Sequence, residues 1–181
     1  QPLIGRALRM LRAELTAAGL ENLVEPFDPD RYNMQASVAE NILFGMPIDP
    51  AFAPQALARN PIVKDLLRET GLGKLLLALG LDAARTFREM FADLPSTSAL
   101  FGQATGTTPE QIEKLRAILD RIDQTGIGAI SPADEDALVT LSMDYVEPRD
   151  RFGILREEVK EKVVEARRRL RERLEGQSEE K

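Results

Sequence analysis

At three points this chain sets a short polar residue directly before a proline and follows the pair with apolar residues at helical spacing: Asn60-Pro61, Thr108-Pro109 and Ser131-Pro132. The polar side chain can accept hydrogen bonds from the free N–H groups of a first turn, and proline, with no N–H and a fixed φ, suits the first helical position. Each pair therefore commits the chain to starting a helix. Gln111 stands where a capping box needs it, and Ile112, Leu115, Ile118, Leu119 and Ile122 give the helix after Thr108 one apolar face. The helix from Asn60 is predicted to run to Gly71 and the one from Ser131 through Leu141. No stretch alternates usefully with a period of two and β-branched clusters are scarce, so no strand is predicted.

The rest reads the same way. Ile4, Leu8, Leu11 and Leu15 recur at helical spacing with arginines between them and Gly19 beyond, which predicts an amphipathic opening helix. "VEPFDPDRYNMQ" is a loop. Ser37 and Glu40 have capping-box spacing, Val38, Ile42 and Leu43 supply a face, and Gly45 with Pro47 forms the expected stop, with Gly45 as the left-handed residue. "PIDPAFAPQALARNP" has room for a short helix only. Lys74 to Leu94 carries Leu75, Leu76, Leu79, Ala83, Phe87, Met90, Phe91 and Leu94 and is the expected core element, with Gly80 and Asp82 as candidate breaks. A short turn is expected through "ALFG" at Ala99. Leu155, Val159, Val163, Ala166, Leu170 and Leu174 stripe a long closing helix. The expectation is an all-α fold of roughly seven to nine helices. It forms a single domain over residues 1–175 with a polar tail at 176–181.

Composition removes most catalytic chemistry. There is no Cys and no His, so disulfides, thiolate nucleophiles and the commonest general base and metal ligand are all missing. The net charge of -6 argues against general nucleic-acid binding, which needs a basic field. "LLLALGL" at Leu75 is too short for a membrane span. Arg6, Arg9 and Arg12 interrupt what would be a signal peptide's apolar core, so a cytosolic location is expected.

Three motifs invite chemistry and fail. "TGLGKLL" at Thr70 is no phosphate loop, because Arg68 stands six before Lys74 where glycine is needed and Leu75 replaces the hydroxyl residue. "ADEDA" at Ala133 lacks the glycine and distant glutamate of a calcium loop, and its acids already suit a helix N-terminus. "RRRLRERLE" at Arg167 spreads its arginines around most of a helix, which predicts a charged outer face, with contact to anionic lipid as the alternative.

One run, "SVAENILFG" from Ser37 to Gly45, resembles the "S-[VI]-x-E-N-I-x-x-G" segment that opens the helical subdomain after the Q-loop of exporter-type ATP-binding-cassette (ABC) ATPases. The wider stretch "GLENLVEPFDPDRYNMQASVAENILFG", with "ALFGQ" and "SMDYVEPRDRFGILREEVKEKVVEARRRL", is similar to a helical region within the ATPase part of certain bacterial ABC transporter ATP-binding/permease proteins. The departures are specific: Phe27-Asp28-Pro29 stands where that family has Gln-Asp-Pro, and the Walker A loop, Walker B strand and signature sequence are absent. No catalytic residue, cofactor or metal ligand carries over. The resemblance implies a non-catalytic accessory or regulatory domain acting on the cytoplasmic side, at the inner membrane through its parent transporter. Its implied partner is the parent ATPase domain or an associated protein, and Ile42, Leu43 and Phe44 are the candidate interface. Two alternatives stand beside it: an independent helical adaptor that binds another protein, and a small-molecule-binding domain with a pocket lined by Phe87, Met90 and Phe91.

Overall fold

The structure, a computed structural model, describes residues 2–20, 28–45, 49–90, 92 and 108–179. In chain order these form α1 (Pro2–Ala17), α2 (Val38–Leu43), a 3-10 turn (Pro50–Phe52), α3 (Pro54–Leu57), α4 (Pro61–Thr70) and α5 (Leu72–Met90). There follow α6 (Pro109–Thr125), a second 3-10 turn (Ile127–Ala129), α7 (Pro132–Met143), α8 (Glu147–Asp150) and α9 (Glu157–Glu179). No strand occurs among the described residues, and the fold is all-α with a long C-terminal helix. The turn expected at "ALFG" and the core positions Phe91 and Leu94 lie outside the described residues.

The caps form as the local chemistry demands. Asn60 Oδ1 accepts from the N–H groups of Ile62 and Val63, Ser131 Oγ from Asp134, and both Ser37 and Thr108 complete reciprocal capping boxes. Two stops differ from expectation. At the end of α2 the left-handed residue is Phe44, at φ 50°, not Gly45. The final helix continues through Glu179, into the stretch expected as a tail.

Side chains from α2, α3, α4, α5, α7 and α9 build the larger core cluster, with Ile42, Leu57, Leu66, Leu72, Leu76 and Met143 fully enclosed. A second cluster joins Ala84 of α5 and Leu138 of α7 to Ile118, Leu119 and Ile122 of α6. Helix α5 is shared: α7 lies along it, and α4, α6 and α9 also pack on it. Val159, Val163, Ala166 and Leu170 turn the stripe of α9 inward.

Gly80 does not break α5. It is buried inside an unbroken helix, and a Cβ added there would overlap the carbonyl oxygen and carbonyl carbon of Leu138. The absent side chain lets the backbones of α5 and α7 approach, a packing use of glycine that outweighs its unfavourable helix propensity of about 1 kcal/mol.

Candidate functional site

Residues 28–37 contain no helix, so their buried backbone groups need partners from side chains. Asn41, 1% exposed on α2, provides several. Its amide nitrogen donates to the carbonyls of Asn33 (2.9 Å), Ala36 (3.2 Å) and Ser37 (2.9 Å), and its Oδ1 accepts from Asn33 N (2.8 Å).

Arg167, on the far side of the chain in α9, completes the set. It is 4% exposed. Its Nε donates to Asn41 O at 2.7 Å and its Nη2 to Asn41 Oδ1 at 2.9 Å. Its Nη1 reaches the carbonyls of Asp28 (3.1 Å), Pro29 (2.9 Å) and Arg31 (2.9 Å). The guanidinium carbon lies 4.4 Å from the centre of the Phe44 ring. Burial pulls the pKa of this arginine below its ordinary value, yet a guanidinium stays protonated in proteins, so the carbonyl dipoles and the ring face stabilise the charge. Beside them the Tyr32 hydroxyl is buried without a hydrogen-bond partner, and its pKa is raised mainly by that burial.

The charged outer face expected of Arg167–Arg173 is therefore wrong for its first member. Its neighbours fit the expectation: Arg168 pairs with Asp30 at 2.9 Å, Arg169 with Glu165 at 2.8 Å, and Arg173 with Glu69. The missed signal was positional. Four after Val163 and three before Leu170, Arg167 falls on the apolar stripe itself.

Of the three residues expected at an interface, Ile42 is fully buried in the core, where no partner can touch it without opening the fold. Leu43 and Phe44 are half-buried and line a groove of about 360 Å3 with Leu170 and Leu174, rimmed by Asp30, Arg168, Arg171 and Glu175. Leu174 is 42% exposed. The groove thus has an apolar floor and a charged rim, the anatomy of a protein-docking surface.

A second hollow, about 610 Å3, lies where α5, α6, α7 and α8 meet. Ala83, Phe87, Leu115 and Leu141 line it, and the Phe87 ring meets Phe152 edge-on with centroids 5.0 Å apart. At its wall Arg149 is held by Asp150 (2.8 Å) and by the Asp144 carbonyl (2.6 Å). The Asp144 carboxyl makes no hydrogen bond; burial raises its pKa, with Arg149 opposing and Asp150 assisting. Met90 is 59% exposed and is not part of this lining, and Phe91 lies outside the described residues.

The acids of "ADEDA" have partners that the sequence did not show. Asp134 takes both Nε (3.2 Å) and Nη2 (2.8 Å) of Arg121, and Asp136 pairs with Lys64 at 2.8 Å, so they tie α7 to α6 and α4. No cluster of His, Cys, Asp or Glu able to hold a metal occurs among the described residues. Lys74 is an exposed residue in the first turn of α5, just after the left-handed Gly71 that ends α4. Compared with known protein families, curated proteins and solved structures, the chain matches none.

Proposed function

We propose that this chain is a non-catalytic helical accessory domain of an ABC transporter ATPase subunit, acting by protein–protein contact on the cytoplasmic side. The observation that carries the reading is the groove in which Leu43 and Phe44, the end of the "SVAENILFG" run, meet Leu170 and Leu174 of α9. The rest of that run is committed to the fold: Ser37 and Glu40 to the capping box, Asn41 to the loop, Val38 and Ile42 to the core. Leu43 and Phe44 are left half-exposed at a surface held rigid by Arg167. Such a surface suits a partner, and the parent ATPase domain is the partner the resemblance supplies.

The test mixes the domain with its parent ATPase domain expressed without it and measures association by calorimetry. Leu174→Asp should weaken binding by tenfold or more while leaving the circular dichroism spectrum unchanged, since Leu174 is outside both core clusters. Association indifferent to Leu174→Asp and to Leu43→Asp would remove the groove from the reading. Adding ATP with magnesium to the isolated domain should give no saturable heat; micromolar binding would overturn the non-catalytic assignment.

The second hollow favours one other reading, a small-molecule-binding domain. Its volume of about 610 Å3 is in the range of ligand pockets, and Phe87 is on its wall. Displacement of a bound apolar fluorophore that Leu141→Trp abolishes would favour this reading over the transporter one.

A further inference from the structure

Among the described residues that line the larger hollow, the charges balance: Glu40, Asp144 and Asp150 stand against Arg59, Lys114 and Arg149. Half of them are committed to the fold. Glu40 closes the capping box with Ser37. The fork of Arg149 is taken by both carboxylate oxygens of Asp150, at 2.8 and 2.9 Å, and by the Asp144 carbonyl. The side chains of Arg59, Lys114 and Asp144 make no hydrogen bond or ion pair with the described residues.

Arg59 and Lys114 are exposed, where water solvates an unpaired cation, but Asp144 is half-buried. A carboxylate partly withdrawn from water needs donors in place of its lost hydration. The charges that act on it are Arg149, already forked onto Asp150, and Asp150 itself. Asparagine would keep the shape of this side chain and shed the charge, so the fold gains nothing from the acid. Groups that weaken a fold in this way gather where ligands bind.

The surroundings of Asp144 form a recess. Along α7 the lining residues Ala137, Thr140, Leu141 and Asp144 follow at i, i+3, i+4 and i+7, one face of the helix, so Asp144 stands about one turn past Leu141. Lys114 is next to Leu115 on the α6 wall, Arg59 precedes α4, and α5 supplies Ala83 and Phe87. A carboxylate on one wall, cations on two others and an apolar lining are complementary to a molecule that carries both charges on an apolar body.

We propose that this hollow binds a small zwitterion of the amino-acid type with an apolar side chain, its ammonium on Asp144, its carboxylate on Lys114 and Arg59, and its side chain against Phe87, Leu115 and Leu141. The proposal rests on the reading of the hollow as a small-molecule site, and a recess of about 610 Å3 holds a molecule of this size. Neither charge alone fits as well. An amine without a carboxylate adds a cation beside Arg149 and leaves Lys114 and Arg59 unmet, and an acid without an amine leaves Asp144 unmet.

Titration calorimetry on the full chain compares L-phenylalanine with phenethylamine, which keeps the ring and the ammonium, and with hydrocinnamate, which keeps the ring and the carboxylate. The amino acid should bind about tenfold more tightly than either analogue. Asp144→Asn should weaken L-phenylalanine about tenfold and leave hydrocinnamate at least as tightly bound. Arg59→Gln with Lys114→Gln should weaken L-phenylalanine to a similar extent and leave phenethylamine unchanged. The first variant removes a charge that destabilises the fold and the second alters exposed side chains, so thermal melts should show both folded. Either analogue binding as tightly as L-phenylalanine, or L-phenylalanine binding unaffected by Asp144→Asn, would overturn the proposal. The apolar dye Nile red separates its failure from that of the pocket reading. Dye that binds, is lost with Leu141→Trp and is displaced by neither L-phenylalanine nor L-leucine overturns the zwitterion and leaves the pocket standing. No binding of the dye or of either amino acid removes both.

Discussion

A buried arginine without a carboxylate needs acceptors for its donors, and in Arg167 each of the three nitrogens has at least one, from main-chain carbonyls or the Asn41 side chain. Lysine would keep the charge but not the fork, so Arg167→Lys should leave several carbonyls unpaired and cost roughly 3 kcal/mol, read by urea denaturation. A double-mutant cycle with Asn41→Ala should give a non-additive result, because the two side chains share one network. Asp144 and Asp134 are opposites. Asp144 is half-buried and its pKa is raised by that partial desolvation, with Asp150 assisting and Arg149 opposing, so above that pKa its charge destabilises the fold, and stability is regained as pH falls toward the unfolded value of about 3.9. Asp144→Asn should therefore raise Tm at pH 7. For Asp134 burial also raises the pKa, but the hydrogen bonds from Arg121 and Ser131 and the charges of Arg121 and Lys114 outweigh it and the net pKa is lowered. Its contribution is present above about pH 3.9 and is lost as pH falls through the folded value. Asp134→Asn should lower Tm at pH 7, and the deficit should shrink as pH falls below the unfolded value of about 3.9. Thermal melts at pH 7 and through the acid range decide the signs.

Glycines inside helices separate what propensity predicts from what packing decides. Gly176 is within α9 with nothing near a would-be Cβ, so Gly176→Ala should stabilise by roughly 0.5 kcal/mol. Gly80→Ala, the same change on paper, forces α5 from α7 and should destabilise by about 3 kcal/mol; equal effects at the two sites would contradict the close approach at Leu138. This contrast also explains which elements were legible in the sequence. Asn60, Thr108, Ser131 and Ser37 cap helices through bonds that span two or three residues, so neighbouring letters contain all the physics. Gly80 has the look of a break in the sequence because its reason for being glycine is Leu138, a residue from another helix. Phe44 in place of Gly45 as the left-handed residue has the same origin: its ring is held under Arg167, and that contact offsets a strain of order 1 kcal/mol. Ile42 could be placed on an apolar face from spacing alone, but whether that face met the domain's own core or a partner depended on α4, α5 and α9. The groove shared by Leu43, Phe44 and Leu174 required the same distant packing and could not be read from either segment separately.

At the scale of the molecule, both core clusters depend on α5 and α7, so neither should melt alone. The calorimetric and van't Hoff enthalpies should agree, and two resolved transitions would show that the α6 cluster is an independent unit. Among the described residues of 1–19 none belongs to either core cluster, so removing the segment should move Tm by less than about 3 °C. The bond from Arg167 to Asn41 spans 126 positions, and this separation governs the order of events during synthesis. Residues 28–45 are made before the arginine that satisfies several of their carbonyls, and translation at roughly 5–20 residues per second leaves an interval of several seconds between the two. During that interval Asn41 can organise only its own neighbourhood, and the loop carrying Asp28, Pro29 and Arg31 awaits α9. The segment that resembles a transporter scaffold is among the first parts of this domain to be made and among the last to be fastened, so a chain that stalls before Arg167 exposes the surface that the finished fold keeps in order.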